Sequence, residues 1–149
     1  MKLSIKKANS AGDWEEVHDQ ILEAFSHQLD FDWKLENLKG QALRGWVLYW
    51  VQVEKEIVAA ILVKTEGTAL LTKHTSTKLA FQGKGISHAI KRFLEMKAHK
   101  DKLEKIITYS RVDDFRMISL NETHGYKRTG KKRGQKVDLE EWEKTLEDI

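Results

Sequence analysis

The spacing of apolar residues changes along the chain, and each change marks an element. Lys2 to Ala8 supports a first strand. Behind Asp13 and Glu16, a capping-box pattern, Trp14, Val17, Ile21 and Phe25 recur at helical spacing and predict a helix to about Phe25 or Ser26. A short second helix is expected from Asp30, carrying Trp33, Leu35 and Leu38, with Gly40 at its end. The period then shortens. Trp46 to Val53 and Ile57 to Lys64 are rich in β-branched and aromatic residues on either side of Glu54, Lys55 and Glu56, which reads as a β-hairpin. Glu66 and Gly67 signal a turn, and Thr68 to Leu79 suits a third meander strand. Ile86, Ala89, Ile90, Phe93 and Leu94 then form the clearest helical series in the sequence.

Lys105 to Ser110 reads as a short buried strand. Asp113 and Asp114 can cap a helix with Met117, Ile118 and Leu120, which Gly125 ends. The tail from Tyr126 to Leu146 fits one or two closing strands, although Glu140 to Leu146 is equally compatible with a helix. This order predicts an α/β chain with a mixed sheet and helices on both faces, read as one domain over residues 1–149.

Composition narrows the chemistry more than the fold. Hydrophobic residues at 40% and charged ones at 33% describe an ordinary globular protein. No apolar run approaches the ~20 residues of a membrane-spanning helix, and the N-terminus lacks a long apolar segment, so a cytoplasmic protein without a membrane partner is expected. The absence of cysteine removes disulfides, thiolate metal sites and cysteine nucleophiles. A net charge of +3 is mild, but it is unevenly spread. Acidic residues collect early, at Asp13, Glu15, Glu16, Asp19 and Glu23, whereas basic ones crowd the second half, notably Lys127, Arg128, Lys131, Lys132, Arg133 and Lys136. A polyanion suits the second half better.

One segment concentrates the candidate chemistry. Phe81-Gln82-Gly83-Lys84-Gly85-Ile86-Ser87 lies between the end of a strand and the start of the clearest helix. Its glycines permit a tight turn, and the free amides and dipole of a first helical turn favour an anion such as a pyrophosphate. Two glycines also fit a plain strand-to-helix loop. A P-loop would need Ser or Thr directly after Gly-Lys, where Gly85 stands. A Rossmann fingerprint would need three spaced glycines after the first strand of a parallel unit.

The turn resembles the acetyl-CoA-binding turn of the GNAT superfamily of N-acetyltransferases, whose pattern is Gln or Arg, two residues, Gly, one residue, then Gly or Ala. Gln82 and Gly85 match it, and Ser87 departs to another small residue. Leu120 to Tyr126 is similar to the family segment ending in Gly-Phe or Gly-Tyr after the fourth helix, and the order of elements agrees over roughly the whole chain. The resemblance implies a GNAT-like, mostly antiparallel twisted sheet and acetyl-CoA as co-substrate, with no metal. It further implies that amides from Gln82, Gly83, Lys84, Gly85, Ile86 and Ser87 hold the CoA pyrophosphate, while the strand end near Thr77 meets the pantetheine arm. Lys84, Lys91, Arg92 and the basic cluster add positive charge. Many relatives carry an acidic tyrosine where this chain has Asn121, an amide that can bond the cofactor but cannot act as a proton donor of that kind. Asp114 stands where relatives often have Asn.

For the general base, His74 is the first candidate, because it precedes the turn on the same strand and imidazole titrates in the right range. His124 and Glu66 follow. His74, His88, His99 and His124 show no paired ligand spacing on one helix, so no metal site is expected. Trp33 is a candidate for lining an acceptor pocket. The reading is an N-acetyltransferase acting on an amine of a small molecule, peptide or protein, with a CoA-binding or protein-interaction module of the same fold as the alternative. A homodimer is compatible with it, and the basic stretch lacks the interleaved aromatics of a nucleic-acid surface.

Overall fold

The computed structural model describes residues 2–25, 34–133 and 138–147. Its order is β1 (Leu3–Lys7), α1 (Ala11–Phe25), α2 (Leu35–Leu43), β2 (Val47–Val53), β3 (Glu56–Glu66), β4 (Ala69–Thr77), α3 (Ile86–Lys100), β5 (Lys105–Arg111), α4 (Phe115–Thr123), β6 (Lys127–Arg133) and β7 (Leu139–Thr145). A single 3-10 turn at Leu79–Phe81 separates β4 from the glycine turn. The strands form one open sheet in the order β1-β2-β3-β4-β5-β7-β6. β1–β2, β2–β3, β5–β7 and β6–β7 are antiparallel, and β4–β5 is parallel. The expected α/β class with a mostly antiparallel sheet is therefore observed.

By contact the chain groups into two compact units, Met1–Lys64 with His74–Ile86, and Thr65–Lys73 with Ser87–Ile149. In the first, Trp14, Val17 and Ile21 of α1 and Leu38 of α2 pack with Ala8, Leu48, Ile57, Ala60 and Leu62. Trp46 and Trp50 lie half-buried against this cluster. The continuous burial of Ile57 to Val63 explains why β3 reads as an unbroken apolar run rather than an alternating one. In the second, β5 alternates: Ile106, Thr108 and Ser110 are buried and their neighbours half-exposed.

Two boundaries differ from expectation, and one open reading is decided. Helix α1 starts a turn earlier than the Asp13–Glu16 box predicts, because Ser10 caps it: Ser10 Oγ accepts from Asp13 N at 3.2 Å, and Asp13 Oδ2 accepts from Asn9 N at 2.8 Å. Gly40 lies inside α2 rather than ending it. The stop falls at Gly45, whose φ of 91° is the left-handed conformation that closes a helix cheaply. Glu140 to Leu146 is not helical; most of it forms β7, where Trp142 pairs opposite Thr108 and is buried. Asp30 and Trp33 lie outside the described residues.

Replacing Ser10 with Ala should lower stability by up to about 1 kcal/mol, since the amide of Asp13 loses its side-chain acceptor and keeps only the Ser10 carbonyl at 3.1 Å. Urea denaturation of the two proteins measures it. An unchanged midpoint would mean that Asp13 alone holds this helix end.

Candidate functional site

The glycine turn is built from the end of β4. Lys78 N donates to Val58 O at 2.8 Å, and Gln82 Nε2 donates to Thr77 O at 3.2 Å, so the turn is pinned at both ends of the 3-10 segment. Gln82 acts here as a brace on Thr77. Gly83 and Gly85 then adopt φ of 77° and 84°, values that residues with a Cβ resist. Among the described residues, the amides of Gly83, Lys84 and Gly85 meet no main-chain carbonyl. Helix α3 follows directly, adding the unpaired amides of its first turn and the positive end of its dipole. A Cβ built at Gly83 or Gly85 would touch nothing within 4 Å, so open space lies over the turn. Lys84 is exposed, with its Nζ 5.4 Å from the centre of the Phe81 ring. A string of amides, a helix N-terminus and a nearby cation suit a phosphate-bearing ligand.

Strand β4 carries a conformational break three residues before its end. His74 has φ of 54°, the only positive φ at a non-glycine residue inside a strand among the described residues; Glu54 and Lys102 lie in turns. The β4–β5 ladder, Ala69–Lys105 to Thr72–Thr108, stops two residues before it. Both strands continue, β4 to Thr77 and β5 to Arg111. His74 is half-buried.

The second unit contains a polar cluster that spacing could not reveal. Lys91, which the resemblance offers as a cation for the phosphates, is instead only 4% exposed, and its Nζ lies 4.1 Å from the centre of the Tyr126 ring. Burial and the neighbouring Lys144 bring its pKa down to about 7, against the opposing pull of Glu95. Lys144 pairs with Glu95, linking β7 to α3. Beside them, His88 Nδ1 and His124 Nε2 lie 2.8 Å apart. Burial and the charges of His88 and Lys91 lower the pKa of His124. His124, the second candidate base, is thus a C-cap residue of α4 bonded to a histidine of α3. No group of three metal-ligating side chains occurs among the described residues.

Asn121 is fully buried, and its Nδ2 donates to Ser110 Oγ at 2.9 Å, tying α4 to β5. Only its Oδ1 is left without a partner among the described residues. Asp114 caps α4 by accepting from Met117 N at 3.2 Å. Arg92 is exposed. Lys127–Arg133 forms the edge strand β6, with Arg128 paired to Glu140 at 3.1 Å; Lys136 lies outside the described residues. Sequence reasoning also missed Tyr109 and Glu141, whose side chains meet across β5 and β7, because register alone puts them opposite each other.

No family model and no curated protein sequence matches the chain. Solved structures do. It superposes on a ribosomal-protein alanine N-acetyltransferase from Escherichia coli with a TM-score of 0.83 at 13% identity, covering 99% of this chain and 96% of that one. The PaiA N-acetyltransferase of Thermoplasma acidophilum in complex with coenzyme A gives 0.77 at 14% identity, covering 98% and 100%. A GNAT family acetyltransferase from Elizabethkingia anophelis with acetyl-CoA bound gives 0.72 at 15%, covering 97% and 98%. The fold is that of the GNAT acetyltransferases.

The buried lysine makes stability depend on pH with a defined sign. Between the folded value of about 7 and the ordinary 10.5, the unfolded chain holds a proton on Lys91 that the folded chain lacks, so stability rises with pH across that window and levels off below it. Lys91→Met should be more stable than the native protein at pH 7 and lose most of the rise to pH 9. Both pH values lie below the range where Tyr109 and Tyr126, whose pKa values burial raises, would add the opposite slope. Equal slopes in denaturant titrations of the two proteins would show that Lys91 stays charged inside the fold.

Proposed function

We propose that the chain is an acetyl-CoA-dependent N-acetyltransferase that moves an acetyl group onto an amine of a small molecule, peptide or protein. The observation that carries this reading is the turn from Gln82 to Ser87, where two left-handed glycines and a helix N-terminus present unpaired amides to open space. That turn occurs in a fold whose solved neighbours include proteins with CoA or acetyl-CoA bound. The pyrophosphate of CoA would lie on these amides, with Thr77 at the pantetheine arm and Lys84 adding charge. The interruption of β4 at His74 supports this strand as a working one, since backbone strain persists where surrounding structure enforces it. His74 is proposed as the base. A cysteine-free sequence suits the reducing cytoplasm, and no helix among the described residues is long and apolar enough to cross a membrane.

One observation favours a second reading, a CoA-binding module without turnover. Asn121 occupies the position where the resemblance places an acidic tyrosine, and its side chain is committed to Ser110. The proton for the departing thiolate would then come from solvent in an enzyme, or not be needed in a binding module. Thiol release from acetyl-CoA across a panel of amines separates the two.

Saturating CoA should raise the melting temperature, because a ligand held only by the folded state stabilises it by mass action. Gly85→Val should remain folded, since space surrounds the new Cβ, yet lose CoA binding as the left-handed turn relaxes. Calorimetry with CoA decides it; full affinity in a folded Gly85→Val protein would move the phosphate site elsewhere.

A further inference from the structure

The last strand of the sheet carries more positive charge than its neighbour neutralises. β6 reads Lys127-Arg128-Thr129-Gly130-Lys131-Lys132-Arg133, five cations in seven residues and no acid. The adjacent β7 holds three carboxylates, and each is already engaged. Glu140 pairs with Arg128 at 3.1 Å, although register sets it across from Lys132. Glu143, across from Lys127, pairs with Lys105 of β5 at 3.1 Å. Glu141 accepts from Tyr109 Oη at 3.0 Å and from Thr129 Oγ1 at 2.8 Å. Lys127, Lys131 and Lys132 are exposed and have no ion-pair partner among the described residues.

The strand is also open on its outer side. It ends the sheet order, and among the described residues no main-chain bond reaches it except from β7. Alternate amides and carbonyls of such an edge point outward unpaired. Lysines and an irregularity, here between Arg128 and Lys132 with Gly130 at a φ of 87°, keep neutral strands from adding to it. The same lysines attract a strand of opposite charge. A second copy of this chain would set β6 against β6 and lysine against lysine, which is repulsive. Single-stranded nucleic acid needs open aromatic faces on which its bases stack. Arg128 lies 4.6 Å from the centre of the Trp142 ring and Arg133 4.9 Å from that of Tyr109, so the rings beside β6 are covered.

Independently of the acetyltransferase reading above, we propose that the outer edge of β6 binds an extended acidic segment of a partner protein as an added strand. The segment's main chain pairs with the outward amides and carbonyls, which gives affinity for an extended chain. Its carboxylates meet Lys127, Lys131 and Lys132, which selects an acidic one. The irregularity at Gly130 confines the pairing to a short segment.

A fluorescent heptaglutamate peptide, matched to the seven residues of β6, is the probe, followed by anisotropy at about 0.15 M salt. It should bind the native protein. Lys127→Gln, Lys131→Gln and Lys132→Gln combined should weaken binding about tenfold, the product of three exposed charge contacts, and each alone about twofold, which keeps the test readable if the triple variant does not fold. A fully N-methylated peptide, with the same charge and no N–H to donate, should bind the native protein no better than the parent peptide binds the triple variant. Amide hydrogen exchange in β6 should slow when the parent peptide is bound. Equal affinity of the native protein and the triple variant overturns the proposal, and equal affinity of the two peptides overturns it by leaving charge attraction without a strand. Tighter binding of an oligothymidylate of equal charge would make the edge a nucleic-acid surface instead. Displacement of the peptide by CoA would give these lysines to the cofactor, and a native protein that binds no heptaglutamate rules the added strand out.

Discussion

A parallel strand pair cannot be closed by a tight turn, and the rest of this structure depends on that constraint. β4 and β5 run parallel, so the chain leaving Thr77 must travel back along the sheet before Lys105 can pair with Ala69. Helix α3 makes that return. The 3-10 turn and two left-handed glycines reverse the direction of the chain within a few residues, and the reversal leaves a helix N-terminus with unpaired amides at the end of a strand. The proposed anion site thus comes from the way two parallel strands are joined, with little help from side chains. Gln82 shows this: its amide binds Thr77 O and shapes the turn.

Around α3 the second unit manages several polar groups in its interior. The ring of Tyr126 receives the Lys91 ammonium, Glu95 and Lys144 pair between helix and strand, and His88 bonds His124. These contacts fasten the start of α3, where the amides point outward, to the end of α4 and to β7. They also make its packing sensitive to proton concentration, because Lys91 sits in too little water to keep its charge easily. On the other face of β5, Glu141 is stabilised by hydroxyls instead of cations. The unit therefore separates a face that holds α3 and α4 from one on which Tyr109 and Thr129 bond Glu141.

The sequence by itself determined the elements and their order. Periodicity located α3 from Ile86, β-branched runs located the hairpin, and Gly125 marked the end of α4, because local backbone preferences act over a few residues. The glycine turn was legible for the same reason. Ser10 and Gly45 were legible in principle as well, as a residue with a cap hydroxyl and a glycine just past a helix, but stronger-looking signals at Asp13 and Gly40 competed with them. Only the tertiary structure decided which polar side chains were taken out of water. Nothing around Lys91 in the sequence distinguishes it from a surface lysine, and Asn121 looked available to a ligand until Ser110 was found beside it. Tyr109 and Glu141 are 32 residues apart, and their meeting depends on the register of β5 against β7, where a slip by one position would turn one of them to the other face. Side-chain burial and long-range register are set by packing across the whole chain, and no local pattern encodes them.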